Sequence, residues 1–429
     1  MNLERIISWV IRSTTARSFT FEGSGLIEPP EAPGRPVHLY VHIPFCFELC
    51  PYCSFHRVPF REDLARRYFA SLKEELGMYR DRGYSFSGVY IGGGTPTVMP
   101  GELLSLLEVL GDSFSPSEIS VETNPDRLDR NLLADLAAAG VKRVSVGVQT
   151  FDDGLLKAVG RYDKYGSSAV LRERLTEARG IVDTLNVDMI YNFPVQTKGM
   201  LDEDLRTLLD ISPDQVTFYP LMISNLTRVK MRKIMGARGR ATEKLFYEAI
   251  TDALSGTYRP TSAWCFSKQG ASMIDEYIVI NDDYVGAGSG AFGLVGGGIY
   301  ANTFSLEDYE VRIRRGMFPL SARKLFTRRE LARYTFLMGL FGLTLDTGLF
   351  RERFGASVWQ LLGPELLFFT LAGALRFEGS RIRLTRKGQY YWVAMMREFF
   401  TGVDNFRDYS REAAGMLVRE ETAGRLGQV

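Results

Sequence analysis

Three cysteines stand within eight residues of one another: Cys46, Cys50 and Cys53, spaced C-x3-C-x2-C in the stretch LYVHIPFCFELCPYCSF, residues 39–55. Such crowding is poor for a disulfide framework and good for holding a metal or a cluster. A [4Fe–4S] cluster normally takes four thiolates. Three leave one iron open, and an open iron can chelate the amino and carboxylate groups of S-adenosylmethionine (SAM). Inner-sphere electron transfer then breaks the S–C5′ bond and yields a 5′-deoxyadenosyl radical. The alternative is a closed zinc knuckle with His56 as fourth ligand, although its usual C-x2-C pairing is missing. Cys265, far along the chain, reads as a second-cluster ligand, a thiyl relay or a buried structural cysteine.

Ligands of this kind need a scaffold, and the pattern around them alternates strand and helix. Strand-like runs fall at 38–43, 88–92, 118–122, 143–149, 186–191 and 215–221. Helical stretches lie between them at 61–78, 101–110, 130–139, 167–181 and 201–209. Short apolar, β-branched strands in six βα units predict an α/β fold, a partial (β/α)6 TIM-like barrel with its helices outside. Function in such a sheet gathers at the carboxyl ends of the strands, where the cysteines fall. Beyond residue 240 the regularity fades into a helix near 241–255 and a glycine-rich run, GAGSGAFGLVGGG, at 286–298. A helical region at 327–343 follows. Residues 364–386 then read as a helix and a short strand pair, a winged-helix-like module expected to act as a lid or docking domain. Four segments result: an N-terminal helix and linker (1–36), the core (37–240), a core extension (241–320) and a C-terminal helical domain (321–429).

Of 429 residues, 45% are apolar and 24% charged, ordinary for a soluble globular chain. Lys and Arg number 52 against 51 Asp and Glu, which removes the electrostatic case for nucleic acid. Glu4 and Arg5 stand where a secretory leader would need its apolar core, and three crowded thiols suit a reducing, cytoplasmic setting. Leu3, Ile6, Ile7, Val10 and Ile11 repeat at helical spacing. They predict either a helix packed on its own barrel or, over residues 1–20, a peripheral contact with the inner face of a membrane.

The run from Tyr40 to Phe55 (YxHIPFCxxxCxYCxF) resembles the radical SAM subfamily that contains oxygen-independent coproporphyrinogen III oxidase, a related haem chaperone and the class C methyltransferases. The resemblance extends over roughly residues 38–310. It implies that Cys46, Cys50 and Cys53 ligate a [4Fe–4S] cluster. In Gly92-Gly93-Gly94-Thr95-Pro96-Thr97, it implies that Gly93, Gly94 and Thr95 contact the SAM amino group, glycine allowing close main-chain approach. Glu122 in VETNP matches a carboxylate near SAM. Gln149, Arg161 and Asp188 match residues that hold a SAM molecule by its ribose and carboxylate. Tyr40 matches a tyrosine beside SAM, and Tyr52 a residue touching adenine through its backbone.

Three departures bear on the reaction. The oxidases carry a further cysteine where Phe55 stands. The chaperones carry a histidine motif and a G-x-G-A-H segment, whereas this chain has only His38, His42 and His56 and reads Gly288-Ser289-Gly290-Ala291-Phe292. Trp264-Cys265-Phe266-Ser267 and Met396–Phe400 resemble a divergent branch associated with menaquinone methylation. The expected activity is therefore class C methylation of an unsaturated ring, with two SAM molecules and a low-potential donor such as flavodoxin or ferredoxin. The alternatives are a porphyrinogen-converting enzyme of the haem pathway and a haem chaperone. Many Phe and Tyr follow residue 300, either lining a flat apolar site or filling the core.

Overall fold

The computed structural model describes residues 27–236, 241–268 and 283–415. The amphipathic stretch at 1–20 lies outside these residues. Six parallel strands follow one another in chain order: β1 (Val37–Ile43), β2 (Phe86–Gly93), β3 (Glu118–Thr123), β4 (Arg143–Gln149), β5 (Thr184–Tyr191) and β6 (Gln215–Pro220). Between them run α1 (Glu62–Asp81), α2 (Pro100–Phe114), α3 (Arg130–Ala138), α4 (Ser168–Ala178) and α5 (Lys198–Ile211). This is the alternating α/β core that the pattern predicts. Its strands are buried on both faces, as the consecutive buried residues Val89, Tyr90 and Ile91 and Val144, Ser145 and Val146 show.

The sheet continues beyond those six strands. Six more lie past β6 in sequence among the described residues: β7 (Arg259–Pro260), β8 (Cys265–Ser267), β9 (Tyr284–Ala287), β10 (Phe292–Val295), β11 (Gly298–Asn302) and β12 (Leu320–Leu325). The twelve strands are ordered β12-β11-β10-β9-β1-β2-β3-β4-β5-β6-β8-β7. β9 is a seventh parallel strand, paired with β1 through His38–Tyr284 and Tyr40–Gly286. The rest of the extension pairs antiparallel. Part of the glycine-rich run is therefore sheet. Gly286 and Gly293 lie so close to the neighbouring backbone that a β-carbon at either would clash with it.

Residues pointing inward from β3 to β6 form a polar floor. Arg143, fully buried, donates from Nε to Gln215 Oε1 at 2.8 Å and from Nη1 to Ser120 Oγ at 2.9 Å. Gln215 in turn donates to Ser267 Oγ at 2.8 Å. One layer nearer the open end, Asn186 donates to Ser145 Oγ and to Asp188 Oδ1, both at 2.8 Å, and accepts from Thr217 at 3.1 Å. Cys265 belongs to this interior: it is fully buried on β8, with Thr217 Oγ1 at 3.7 Å from its sulfur.

The C-terminal part packs α6 (Arg328–Phe341) and α7 (Val358–Leu371) with a three-stranded antiparallel sheet, Thr344–Asp346, Arg381–Leu384 and Leu375–Glu378 in that order. Pro364 does not open α7, as the sequence suggests, but lies inside it. Ser357 caps the helix, and Leu362, at φ −130°, absorbs the kink. A proline lacks the N–H and crowds the preceding turn, so a bend there is its usual cost. From this module the 28-residue α8 (Arg386–Ala413) runs back across the barrel. It is anchored by the buried Trp392, whose indole donates to Leu337 O at 2.9 Å. Among the described residues no helix is long and apolar enough to cross a membrane.

Candidate active site

The loop leaving β1 is closed at its base by a two-stranded parallel pair, Phe45–Cys46 with Val58–Pro59. Val58 N donates to Pro44 O and Phe60 N to Cys46 O, each at 2.8 Å. Cys46, Cys50 and Cys53 hang on this closed loop and face one cavity of about 290 Å³ at the carboxyl ends of the strands. Their surroundings differ. Burial pushes the Cys46 thiol up to about 11, with nearby Cys53 adding to the rise. Burial would also raise Cys50, but the cations of Arg161, Lys164 and Arg57 carry it below its ordinary value. Arg161 Nη1 lies 3.6 Å and Lys164 Nζ 3.8 Å from the Cys50 sulfur. A thiolate, the form that ligates metal, is thus favoured there.

The glycine turn after β2 sits against this loop because nothing larger fits. Gly93 has φ +121°, and a β-carbon on it would fall 2.7 Å from the His42 ring. One on Gly94 would fall 2.7 Å from Phe45 O. One on Gly92 would meet the Glu122 carboxylate at 2.7–2.8 Å. Glu122 accepts from Gly93 N at 2.9 Å and from Tyr90 OH at 2.8 Å, which fixes it at the end of β3. Thr95 is buried behind the lining. Its hydroxyl lies 3.7 Å from the Cys46 sulfur and accepts from Asn124 Nδ2 at 2.8 Å.

Gln149 ends β4 after a break in register and sits at φ +79°, strain that a non-glycine residue seldom carries away from a functional position. Arg161 is buried. It donates to Tyr52 OH at 3.3 Å, to Asn124 Oδ1 at 3.1 Å and to Gly147 O, and its Nε has no partner. Asp188 is oriented from below by Asn186 and by Ser145, whose hydroxyl donates at 2.8 Å. Tyr40 and Tyr52 are both buried in the lining, and Tyr40 OH lies 2.8 Å from His42 Nδ1. Of the residues expected to hold the cluster or SAM, only Thr95 stands outside the cavity wall.

His56 is turned away from the thiols. Its ring stacks on His42 at 5.6 Å between centroids, and its Nε2 lies 3.2 Å from Ser289 Oγ. Burial holds it well below its ordinary pKa. It does not complete a zinc knuckle. Among the described residues no three His, Cys, Asp or Glu side chains are arranged around a point that would hold a single ion. Cys265 lies under the cavity rather than in its lining.

The far wall contains residues that the cluster and SAM motifs do not announce, two of them, Trp264 and Phe400, from the stretches that resemble the divergent branch. Trp264 packs edge-on against Tyr219 at 5.3 Å and at a tilt against Phe400 at 5.8 Å, and α8 adds Asp404 and Arg407 to the lining. Phe400, Asp404 and Arg407 are spaced i, i+4, i+7 and so share a helix face. The available signal was a charge pair on a face otherwise occupied by Met396 and Val403. Of the late aromatics, Phe400 lines the cavity, while Phe304, Phe318, Phe336, Phe341, Phe350, Phe354 and Trp392 are core.

With this geometry in hand, the chain can be set beside known proteins. Residues 40–208 match the family model of the radical SAM superfamily, and residues 326–391 match the HemN C-terminal domain. The oxygen-independent coproporphyrinogen III oxidase of Cereibacter sphaeroides is 31% identical over 402 residues, covering 85% of this chain and 87% of that protein. Heme chaperone HemW of Bacillus subtilis is 28% identical over 370 residues, covering 82% of this chain and 95% of the chaperone. The structure of coproporphyrinogen III oxidase (HemN) from Escherichia coli superposes with a TM-score of 0.71 at 22% identity, over 86% of this chain and 91% of that one.

Proposed function

The chain belongs to the radical SAM superfamily, within the family of oxygen-independent coproporphyrinogen III oxidase, and from that premise we propose that it performs radical chemistry on a tetrapyrrole of the haem pathway. Membership brings a [4Fe–4S] cluster and SAM. When bound, they supply an electron and, from SAM, a 5′-deoxyadenosyl radical. The donor set fits that pair: three thiols on one closed loop, a glycine turn with no room for a side chain, and a carboxylate and a guanidinium flanking it.

In this reading Cys46, Cys50 and Cys53 hold the cluster. The cations beside Cys50 keep it ready to ligate. Glu122, fixed by Gly93 and Tyr90, meets the SAM ammonium, with Gly93 and Gly94 presenting backbone and Thr95 bracing Cys46 from behind. Arg161 takes the SAM carboxylate as a charge-assisted pair, and Asp188 and Gln149 take the ribose hydroxyls. Tyr40 and Tyr52 bound the nucleoside. The aromatic wall of Tyr219, Trp264 and Phe400 excludes water from a reactive radical.

One observation carries the proposal: a single cavity joins the cluster loop to an aromatic wall large enough for ring contact and edged with charge. The matched proteins are oxidases and chaperones, which favours a tetrapyrrole over the menaquinone methylation that the sequence suggested. Phe55, standing where the oxidases carry a further cysteine, favours a second reading: class C methyl transfer with two SAM molecules. Membrane contact through residues 1–20 would belong to the quinone form of that reading. A flavodoxin or ferredoxin is the proposed electron donor in either case.

Anaerobic turnover of reconstituted enzyme with SAM, reductant and coproporphyrinogen III tests the assignment. The expected products are 5′-deoxyadenosine and a decarboxylated porphyrinogen. S-adenosylhomocysteine with a ring heavier by one methylene would replace this reading with methyl transfer. Haem binding without any SAM cleavage would replace it with the chaperone role.

A further inference from the structure

At the mouth of the cavity, α8 places a charge pair whose cation is only partly used. Arg407 is 9% exposed, and its Nη1 donates to Asp404 Oδ1 at 2.8 Å. Its Nε is buried with no partner. The guanidinium lies over the ring of Phe55, 4.6 Å from the centroid, with the Phe292 ring at 5.6 Å. Phe55 itself is 44% exposed, which marks this as the rim rather than the depth of the cavity. Arg57, also in the lining, gives Nη2 to the Cys53 carbonyl and keeps Nε and Nη1 buried without partners. Arg411 and Asp408 stand behind, 3.7 Å apart. Three arginines therefore face two aspartates, and two of those arginines line the cavity; the unpartnered Nε atoms are closed off from it, whereas Arg407 Nη2, which makes no hydrogen bond, is the donor left accessible.

Buried guanidinium donors are rarely left unmet, because an arginine cannot shed its charge and each N–H has forfeited water. Where a further donor of the same guanidinium is accessible in a cavity wall, as Arg407 Nη2 is, it marks the position of an acceptor that arrives with a ligand. The fork geometry and positive charge select a planar anion. We propose that Arg407, steadied by Asp404 and by the Phe55 and Phe292 rings, is an anchor for a carboxylate side chain of the ring substrate. This rests on the tetrapyrrole reading and deepens it: the substrate is a ring bearing carboxylates at its periphery, not a neutral quinone. The carboxylate of a second SAM molecule is the other source of the same chemistry.

Equilibrium binding to the anaerobic, cluster-loaded, full-length protein separates these cases. The probes are coproporphyrin III, its tetramethyl ester and SAM, read by quenching of porphyrin fluorescence and by calorimetry. Arg407→Gln is expected to weaken coproporphyrin III at least tenfold while leaving the ester and SAM within twofold, and Arg407→Lys to fall between. Asp404→Asn, which frees Nη1 without removing the anchor, is expected to tighten coproporphyrin III severalfold and not the ester. It serves as the independent variant should Arg407→Gln fail to fold. Equal binding of coproporphyrin III by wild type, Arg407→Gln and Asp404→Asn would overturn the anchor while leaving the tetrapyrrole reading in place. Loss of SAM affinity with porphyrin affinity intact would overturn the assignment to substrate and give the carboxylate to SAM. Wild-type protein that binds SAM but neither porphyrin would overturn the tetrapyrrole reading and the anchor with it.

Discussion

Arg143 and Arg407 are both buried arginines inside the same barrel, and they are treated in opposite ways. On the floor, Arg143 spans three strands and spends its donors on Gln215 and Ser120, so that the layer holds itself together. At the mouth, Arg407 has one carboxylate, two aromatic rings and an unmet Nε. The contrast teaches where to look for function: the protein satisfies its own polar groups where only the fold depends on them, and leaves them open where a ligand completes them.

Breaking the cluster loop should have the largest effect. Cys50→Ala is expected to abolish SAM cleavage, by about a thousandfold or more, with loss of the cluster's visible absorbance and little change in the unfolding midpoint. A large fall in stability would show that the mouth carries the fold as well. Arg143→Met should do the reverse. Stripping partners from Gln215 and Ser120 is expected to cost about 3–5 kcal/mol in denaturant unfolding. A cost below about 1 kcal/mol would erase the distinction drawn here.

Those two outcomes bear on how much the sequence tells. The six βα units are legible because strands buried on both faces read as short apolar, β-branched runs, as Val89 to Ile91 does. β9 is not legible: Tyr-Val-Gly-Ala is four residues long, and its glycine is there to let a neighbouring backbone approach. Residues at the carboxyl end of a strand, such as Glu122 and Gln149, are visible as motifs. Asp404 and Arg407 come from a helix some 350 residues after the cysteine loop, and only tertiary packing brings them to the same rim.

Two smaller effects sharpen the comparison within the mouth. Gly92→Ala forces a β-carbon into the Glu122 carboxylate. It should cost about 2 kcal/mol in stability and weaken SAM binding roughly tenfold, measured by calorimetry. The smallest effect concerns pH. Burial raises the Asp404 carboxyl from 3.8 to about 6 despite Arg407 beside it. The folded state therefore holds that proton more tightly than the unfolded chain, and its contribution is fully present below about pH 4. It is lost as pH rises through about 6, with a slope of at most about 1.4 kcal/mol per pH unit. Asp404→Asn should flatten the stability curve between pH 4 and 6. An unchanged slope would mean that the rim carboxylate stays solvated.

The pairing of Phe45–Cys46 with Val58–Pro59 has a consequence for the lifetime of the protein. Because main-chain bonds close the loop at its base, the entropy of bringing its ends together is met by the polypeptide and not by iron. Oxygen attacks exposed iron–sulfur centres, and a chain whose ligand loop depended on the cluster would unravel there with each loss. Main-chain closure at the base predicts that this loop retains its ends when the cluster is lost, so that damage by air becomes a matter of repair rather than of resynthesis.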